Sequence, residues 1–233
     1  VNLPLRGRPQ GGPAETRRMP AAQTPTPPPS SVTASGGAAP TGLHPAAGDL
    51  AQALMAGGSR ILQLRMKGAS GGSLLRAGDE LRHITRRRPG VKLIINDRLD
   101  VALAIAADGV HLGQTDLPLR AARALCPPGF LIGISTHDEE QVEAAIAGGA
   151  DYIALGPIYA TASKDDPDPV IGVARLRAVC AAAPVPVVAI GGITLERLPE
   201  VVAAGAHAAA IIAAVNLAPD PQQAAAAVTR AFA

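Results

Sequence analysis

Residues 94–116 read IINDRLDVALAIAADGVHLGQTD. An apolar run stops at Asn96-Asp97, a helix-like stretch RLDVALAIAA (98–107) follows, and a second apolar run stops at Gly113-Gln114-Thr115-Asp116. A strand, a short helix and another strand in sequence make a right-handed βαβ unit with parallel strands. A core strand gains nothing by ending in a carboxylate. Two strands that both do so place two carboxylates at the same end of one sheet, and a cation between them would be a physical reason for it.

Outward from this unit the pattern repeats. Helical stretches are expected over 47–58, 70–88, 98–107, 117–126, 138–149, 172–183, 194–205 and 219–232. Strands are expected over 60–67, 91–97, 109–113, 130–135, 151–156, 185–192 and 207–215. An internal echo, a helix ending in Ala or Gly followed by a short apolar strand, appears in AGGSRILQL, AADGVHLG, AGGADYIALG and AAGAHAAAIIA. Strict alternation of strand and helix implies α/β architecture with a parallel sheet. The tally is eight helices and seven strands, so an eightfold barrel needs one more strand before the first helix. The only candidate there is SSVTA at 30–34.

That candidate lies in a different kind of sequence. Residues 1–45 are rich in Pro, Gly, Ser and Thr and lack apolar periodicity. Such a segment cannot bury enough surface to offset its ordering entropy, and disorder is expected over 1–45. Its arginines and scarce acids also admit a transit peptide, against which its prolines argue. The chain begins with Val1 rather than Met, which hints that its natural start lies elsewhere. The catalytic domain is expected to span 46–233.

Composition narrows the function. Hydrophobic residues are 48% of the chain, enough for a core, but aromatics are only 2% and Trp is absent, so stacking platforms for bases are not expected. Net charge is +2, of which 1–45 carry +3 and the rest −1, and no basic stripe for nucleic acid is visible. Cys126 and Cys180 have no metal-binding spacing and read as reduced packing residues. The most apolar segment, VVAAGAHAAAIIAAV (201–215), is broken by Gly205 and His207, so no membrane span is expected.

Five segments carry a resemblance to a known family. QLRMK (63–67), INDRLDVALAIAADGVHLGQTDLP (95–118), IGIST (132–136), ADYIALGPIYATASK (150–164) and VVAIGGIT (187–194) resemble thiamine-phosphate synthases in order and spacing. The resemblance runs from about 46 to about 220. It implies a (β/α)8 TIM barrel with a poorly represented or missing first strand. It also implies a transferase that joins 4-amino-2-methyl-5-hydroxymethylpyrimidine diphosphate to a thiazole phosphate, releasing pyrophosphate. Mg²⁺ is the implied cofactor, and the implied chemistry is dissociative, with a pyrimidine-methyl cation captured by the thiazole nitrogen. The partners implied are small phosphorylated substrates, in the cytoplasm, with a homo-oligomer compatible with the reading.

The same resemblance assigns residues. Asp97 and Asp116 match the magnesium ligands; the alternatives are a helix N-cap for Asp97 and an ordinary loop carboxylate for Asp116. Gln63, Arg65 and Lys67 alternate, so they share one face of their strand. The family uses the whole stretch Gln63, Leu64, Arg65, Met66 and Lys67 for the pyrimidine diphosphate, with Asn96 as the matching amide. Ser135 either contacts the diphosphate or caps the following helix. Thr161, Ala162 and Ser163 match the thiazole-phosphate contacts and Lys164 a diphosphate contact, in a long loop (156–171) that reads as a lid. Lys67, Ser135 and Lys164 are the expected catalytic set. Gly192, with Ile212 and Ala213, matches the thiazole-phosphate cradle. The family usually has Ser where this chain has Ala213, and losing that hydroxyl should weaken phosphate binding by about 1 kcal/mol. His137 is expected to be solvated.

The family's first strand is apolar and ends in Thr-Asp, and Val32-Thr33 is the nearest counterpart here. A barrel lacking that strand would leave two unpaired edges. Two other readings stay open: a thiazole tautomerase-like paralogue, which keeps the fold without diphosphate machinery, and a non-catalytic degenerate barrel that binds a phosphorylated ligand.

Overall fold

The structure, a computed structural model, describes residues 31–35, 45–161 and 168–233. Seven consecutive strands form a curled parallel sheet: β2 (Ile61–Arg65), β3 (Lys92–Asn96), β4 (Gly109–Leu112), β5 (Leu131–Thr136), β6 (Tyr152–Leu155), β7 (Val187–Ile190) and β8 (Ala208–Ile211). Each pairs in parallel with the next. Their sequences, such as LIIN and GVHL, are buried on both faces, as a parallel sheet covered by helices requires.

An eighth strand, β1 (Ser31–Ser35), lies inside the segment expected to be disordered. It pairs in parallel with β2 over five residues and with β8 over two. The reason is the one that made its absence costly. The edges of β2 and β8 present unpaired backbone N–H and C=O groups, and an adjacent segment of modest propensity satisfies them. The rest of 1–45 lies outside the described residues except Pro45, where the first helix begins.

The helices are α1 (Pro45–Ala56), α2 (Gly71–Thr85), α3 (Leu99–Ala104), α4 (Leu119–Leu125), α5 (Glu139–Ala147), α6 (Gly172–Ala182), α7 (Leu198–Ala203), α8 (Ala213–Asn216) and α9 (Pro221–Ala231). The main core lies between them and the sheet, built from residues such as Leu54, Leu81, Leu93, Ile132 and Ile153. A smaller cluster, Ala154, Val188 and Ala208 with Tyr152, Ile190 and Ala210, lines the cavity inside the curl of the sheet. α9 closes the helical layer on α1, and the Thr229 hydroxyl donates to the Gly57 carbonyl at 3.0 Å.

Two boundaries differ from the sequence expectation. The run 207–215 is not all strand: β8 stops at Ile211 and α8 begins at Ala213, because alanine favours helix once ladder pairing ends. The helix expected from 194 starts as a 3₁₀ turn, Leu195–Arg197, and becomes α7 at Leu198, with Pro199 in its first turn, where a missing N–H costs nothing.

The internal echo has a physical basis. Asp108, Asp151 and His207 each immediately precede a strand. Each donates its N–H to the carbonyl of the previous strand's Leu93, Ile132 or Val187. Each side chain then accepts the N–H of that same residue, at 2.9, 2.6 and 3.2 Å. This two-way clasp fixes strand register, and Arg82 and Arg123 neutralise the two aspartates at 2.6 Å each. It sits at the strand starts, so the opposite end is left for chemistry. Among the described residues, no helix is long and apolar enough to cross a membrane.

Candidate active site

A cavity of about 830 Å³ runs along the inside of the strands, from residues such as Ile61, Leu131 and His207 at their starts to their C-terminal ends. Of the residues singled out in the sequence, it brings together Gln63 and Arg65 of β2 and Lys67 beyond it, Asn96 at the end of β3 and Asp97 beyond it, and Asp116 after β4. Ser135 and Thr161 join from β5 and from the segment after β6, and Gly192, Ile212 and Ala213 from β7 and β8. Leu64 and Met66 are not among the lining residues: Leu64 is buried in the main core and Met66 packs against it, as period-two alternation dictates. Ala162, Ser163 and Lys164 lie outside the described residues.

Asp97 has a left-handed backbone, φ 65°, which is uncommon outside glycine, although aspartate and asparagine adopt it more readily than other residues. Its N–H donates to the His111 carbonyl at 2.8 Å, so the end of β3 is held against β4. The N-cap of α3 is Arg98, with no side-chain cap bond, so Asp97 does not serve as a helix cap. Asp116 accepts the Gly113 N–H at 2.7 Å, which anchors it over the end of β4. Burial, then the charge of Asp116 and a hydrogen bond to it, push the Asp97 carboxyl up to about 6, against the opposing pull of Arg65 and Lys67. The Arg65 guanidinium lies 3.8 Å from the Asp97 carboxylate. The two carboxylates oppose each other's ionisation, and Arg65 and Lys67 beside them offset their charge. Among the described residues no three His, Cys, Asp or Glu side chains converge as a metal cage. The donor set therefore suits an ion that takes one or two carboxylates and completes its shell from water and phosphate oxygens.

Ser135 is not a helix cap either, because Asp138 caps α5 by accepting the Gln141 N–H at 2.8 Å. Its hydroxyl instead shares a hydrogen bond with His111 Nε2 at 2.9 Å, and His111 Nδ1 shares one with the Tyr152 hydroxyl at 3.1 Å. The two rings stack with centroids 5.6 Å apart. Gly133 makes room for Tyr152, since a Cβ there would overlap the ring. Burial, helped by the nearby Arg65 charge, pulls the imidazole down to about 4 against the pull of Asp116, so it is neutral and has one donor and one acceptor nitrogen. Sequence reasoning passed over His111 and Tyr152. The available signal was a polar residue at an inward position of the otherwise apolar GVHL.

His137 is not simply solvated. Its Nδ1 engages the Gly156 carbonyl, and its Nε2 lies 3.4 Å from Asp168. Across the cavity, Gly191 and Gly192 have φ of 86° and 64°. A Cβ on Gly192 would overlap the Ala160 carbonyl oxygen, so glycine is required there on two counts. Beside it, Arg197 Nη1 donates to the Gly192 carbonyl at 2.6 Å. The guanidinium lies over the Tyr159 ring, 4.3 Å from its centroid, and the Tyr159 hydroxyl donates to Glu200 at 2.9 Å. Sequence reasoning passed over Arg197 as well.

The family model for thiamine monophosphate synthase (TMP-TENI) matches residues 41–215. The thiamine-phosphate synthase of Methanoregula boonei is 51% identical over 172 residues, covering 74% of this chain and 79% of the relative. That of Anaeromyxobacter dehalogenans is 47% identical over 182 residues, covering 78% and 81%. Among solved structures, thiamine phosphate pyrophosphorylase from Pyrococcus furiosus superposes with a TM-score of 0.73 at 34% identity, over 79% of this chain and 88% of that one. A 3-hexulose-6-phosphate synthase, 20% identical with a TM-score of 0.60 over 87% of this chain and 99% of its own, shares the fold. By family match, relatives and site geometry together, the chain belongs to the thiamine-phosphate synthase family of transferases.

Proposed function

We propose that this chain is a complete (β/α)8 barrel that joins 4-amino-2-methyl-5-hydroxymethylpyrimidine diphosphate to a thiazole phosphate, releasing pyrophosphate. One observation carries the reading: Arg65, Lys67, Asp97, Asp116 and Ser135, drawn from four different strand ends, line one cavity.

Arg65 and Lys67 suit the diphosphate, whose charge they offset. Asn96 is buried and directly opposite His111 in the ladder, where its amide can hydrogen-bond a heterocycle. Asp97 and Asp116 would hold Mg²⁺. When bound, that ion would neutralise charge on the departing pyrophosphate. The bond from the exocyclic methylene carbon to the diphosphate oxygen breaks with its electron pair going to oxygen. The thiazole nitrogen lone pair then forms the new C–N bond to that carbon. Ser135, oriented by the neutral His111, presents a hydroxyl to the reacting pyrimidine diphosphate. The backbone at Gly192, Ile212 and Ala213, with Thr161, receives the thiazole phosphate; the resemblance adds Ala162 and Ser163 to that contact and gives Lys164 to the diphosphate. Such an enzyme would work in the cytoplasm on small phosphorylated substrates.

The test is turnover by the purified chain with both substrates and Mg²⁺. Equimolar thiamine phosphate and pyrophosphate are expected. Release of pyrophosphate without thiamine phosphate, or no reaction from a protein that melts cooperatively, would contradict the assignment.

A further inference from the structure

The two anions of this reaction meet different surroundings, and one lacks a charged partner in the assignment above. The diphosphate side has Arg65, Lys67 and two carboxylates. The cradle for the thiazole phosphate, Gly191, Gly192, Ile212 and Ala213, offers backbone N–H groups and apolar side chains only. The resemblance expects a hydroxyl at 213, and alanine has none. A phosphate dianion held by neutral donors alone leaves most of its charge uncompensated.

A cation stands beside that cradle. Arg197 lines the same cavity and is tied to the Gly192 carbonyl at 2.6 Å, so its position follows the cradle backbone. The Tyr159 ring under the guanidinium, at 4.3 Å, restrains its plane, and Glu200 in turn holds the Tyr159 hydroxyl. The bond to Gly192 uses one of five N–H donors in a planar fork whose geometry matches phosphate oxygens. Arg65 ends β2 and Lys67 lies just beyond it, and β8 and β1 separate that strand from β7. Among the described residues, Arg197 is thus the cation that follows β7, beside Gly192.

We propose that Arg197 anchors the phosphate of the thiazole substrate and makes the site selective for a phosphorylated thiazole, in place of the hydroxyl missing at Ala213. This rests on the synthase reading above. The experiment compares KM for each substrate in wild type, R197A, R197K and the double variant R197A/A213S. R197A should raise KM for thiazole phosphate by about tenfold or more, as loss of a charge-assisted bidentate contact does. It should leave KM for the pyrimidine diphosphate unchanged. R197K should fall between, and A213S on the R197A background should recover part of the loss. The rate with unphosphorylated thiazole should not respond to R197A. A KM for thiazole phosphate within about twofold of wild type in R197A, or equal rises for both substrates, would overturn the proposal. Calorimetric binding of thiazole phosphate to wild type and R197A separates this from the synthase reading. If wild type makes no product yet binds thiazole phosphate, and R197A binds it tenfold more weakly, the synthase reading fails and the anchor stands. Equal binding by both removes the anchor.

Discussion

The two halves of the cavity are built from different materials. The half formed by β2 to β5 is side chain: two carboxylates, Arg65, Lys67, Asn96 and a serine held by a buried histidine. The half formed by β7 and β8 is backbone: two left-handed glycines, Ile212 and Ala213, with Arg197 at the rim. A diphosphate that leaves with a growing negative charge needs groups whose own charge can answer it. A single phosphate that only has to stay in place can be held by N–H groups at close approach with one cation beside them. Under the proposed assignment, reactive and retained anions are recognised at one end of the sheet by separate means. This also means that mutations should split cleanly by which substrate they affect.

The largest effect is expected on the side-chain half. Asp116→Ala removes half of the carboxylate pair, and turnover should fall by about a hundredfold or more, with the melting temperature little changed. A rate near wild type at saturating Mg²⁺ would break the comparison. His111→Phe keeps roughly the ring volume but strips Ser135 and Tyr152 of their shared partner. Its kcat should drop about tenfold, with KM for thiazole phosphate unmoved, and an unchanged kcat would mean that Ser135 needs no positioning. On the backbone half, Gly192→Val forces a Cβ against the Ala160 carbonyl oxygen at φ 64°. KM for thiazole phosphate should rise several-fold while diphosphate affinity, measured separately by calorimetry, holds. A matching loss for the diphosphate would show the halves are not separable. The smallest effect is on stability. The Asp97 carboxyl is raised from 3.8 to about 6, so the folded state binds its proton more tightly than the unfolded state does. Without metal, this site should therefore cost stability at pH 7 and relax progressively as pH falls from about 6 towards 3.8. Asp97→Asn should raise the melting temperature slightly at pH 7 in chelator and remove this pH dependence, while losing activity. A lower melting temperature for that variant would sink the coupling.

How much of this the sequence reveals depends on where each partner comes from. Asp97 and Asp116 are legible because each ends an apolar run, and a strand end in a parallel barrel points to one face. Gln63, Arg65 and Lys67 are legible from period two alone. The same period should have excluded the side chains of Leu64 and Met66, which the family stretch carried along. β1 is hard to read because its propensity is low. What places it is the pair of open edges on β2 and β8, a tertiary demand that local sequence does not express. Ser135 and His111 lie 24 residues apart and His111 and Tyr152 lie 41 apart, so their hydrogen-bonded chain exists only once β4, β5 and β6 have paired. In sequence, a lone histidine in an apolar strand looks like core. Arg197 is obscured differently, because its 3₁₀ turn reads as the middle of an ordinary helix.

The most direct test of the division between halves is calorimetric binding of the pyrimidine diphosphate to the wild-type chain, with Mg²⁺ and with excess chelator, alongside thiazole phosphate under the same two conditions. If Asp97 and Asp116 serve the diphosphate half alone, chelation should weaken diphosphate binding by at least tenfold and leave thiazole-phosphate binding unchanged. Equal diphosphate affinity in both conditions, or a parallel loss for both ligands, would contradict it.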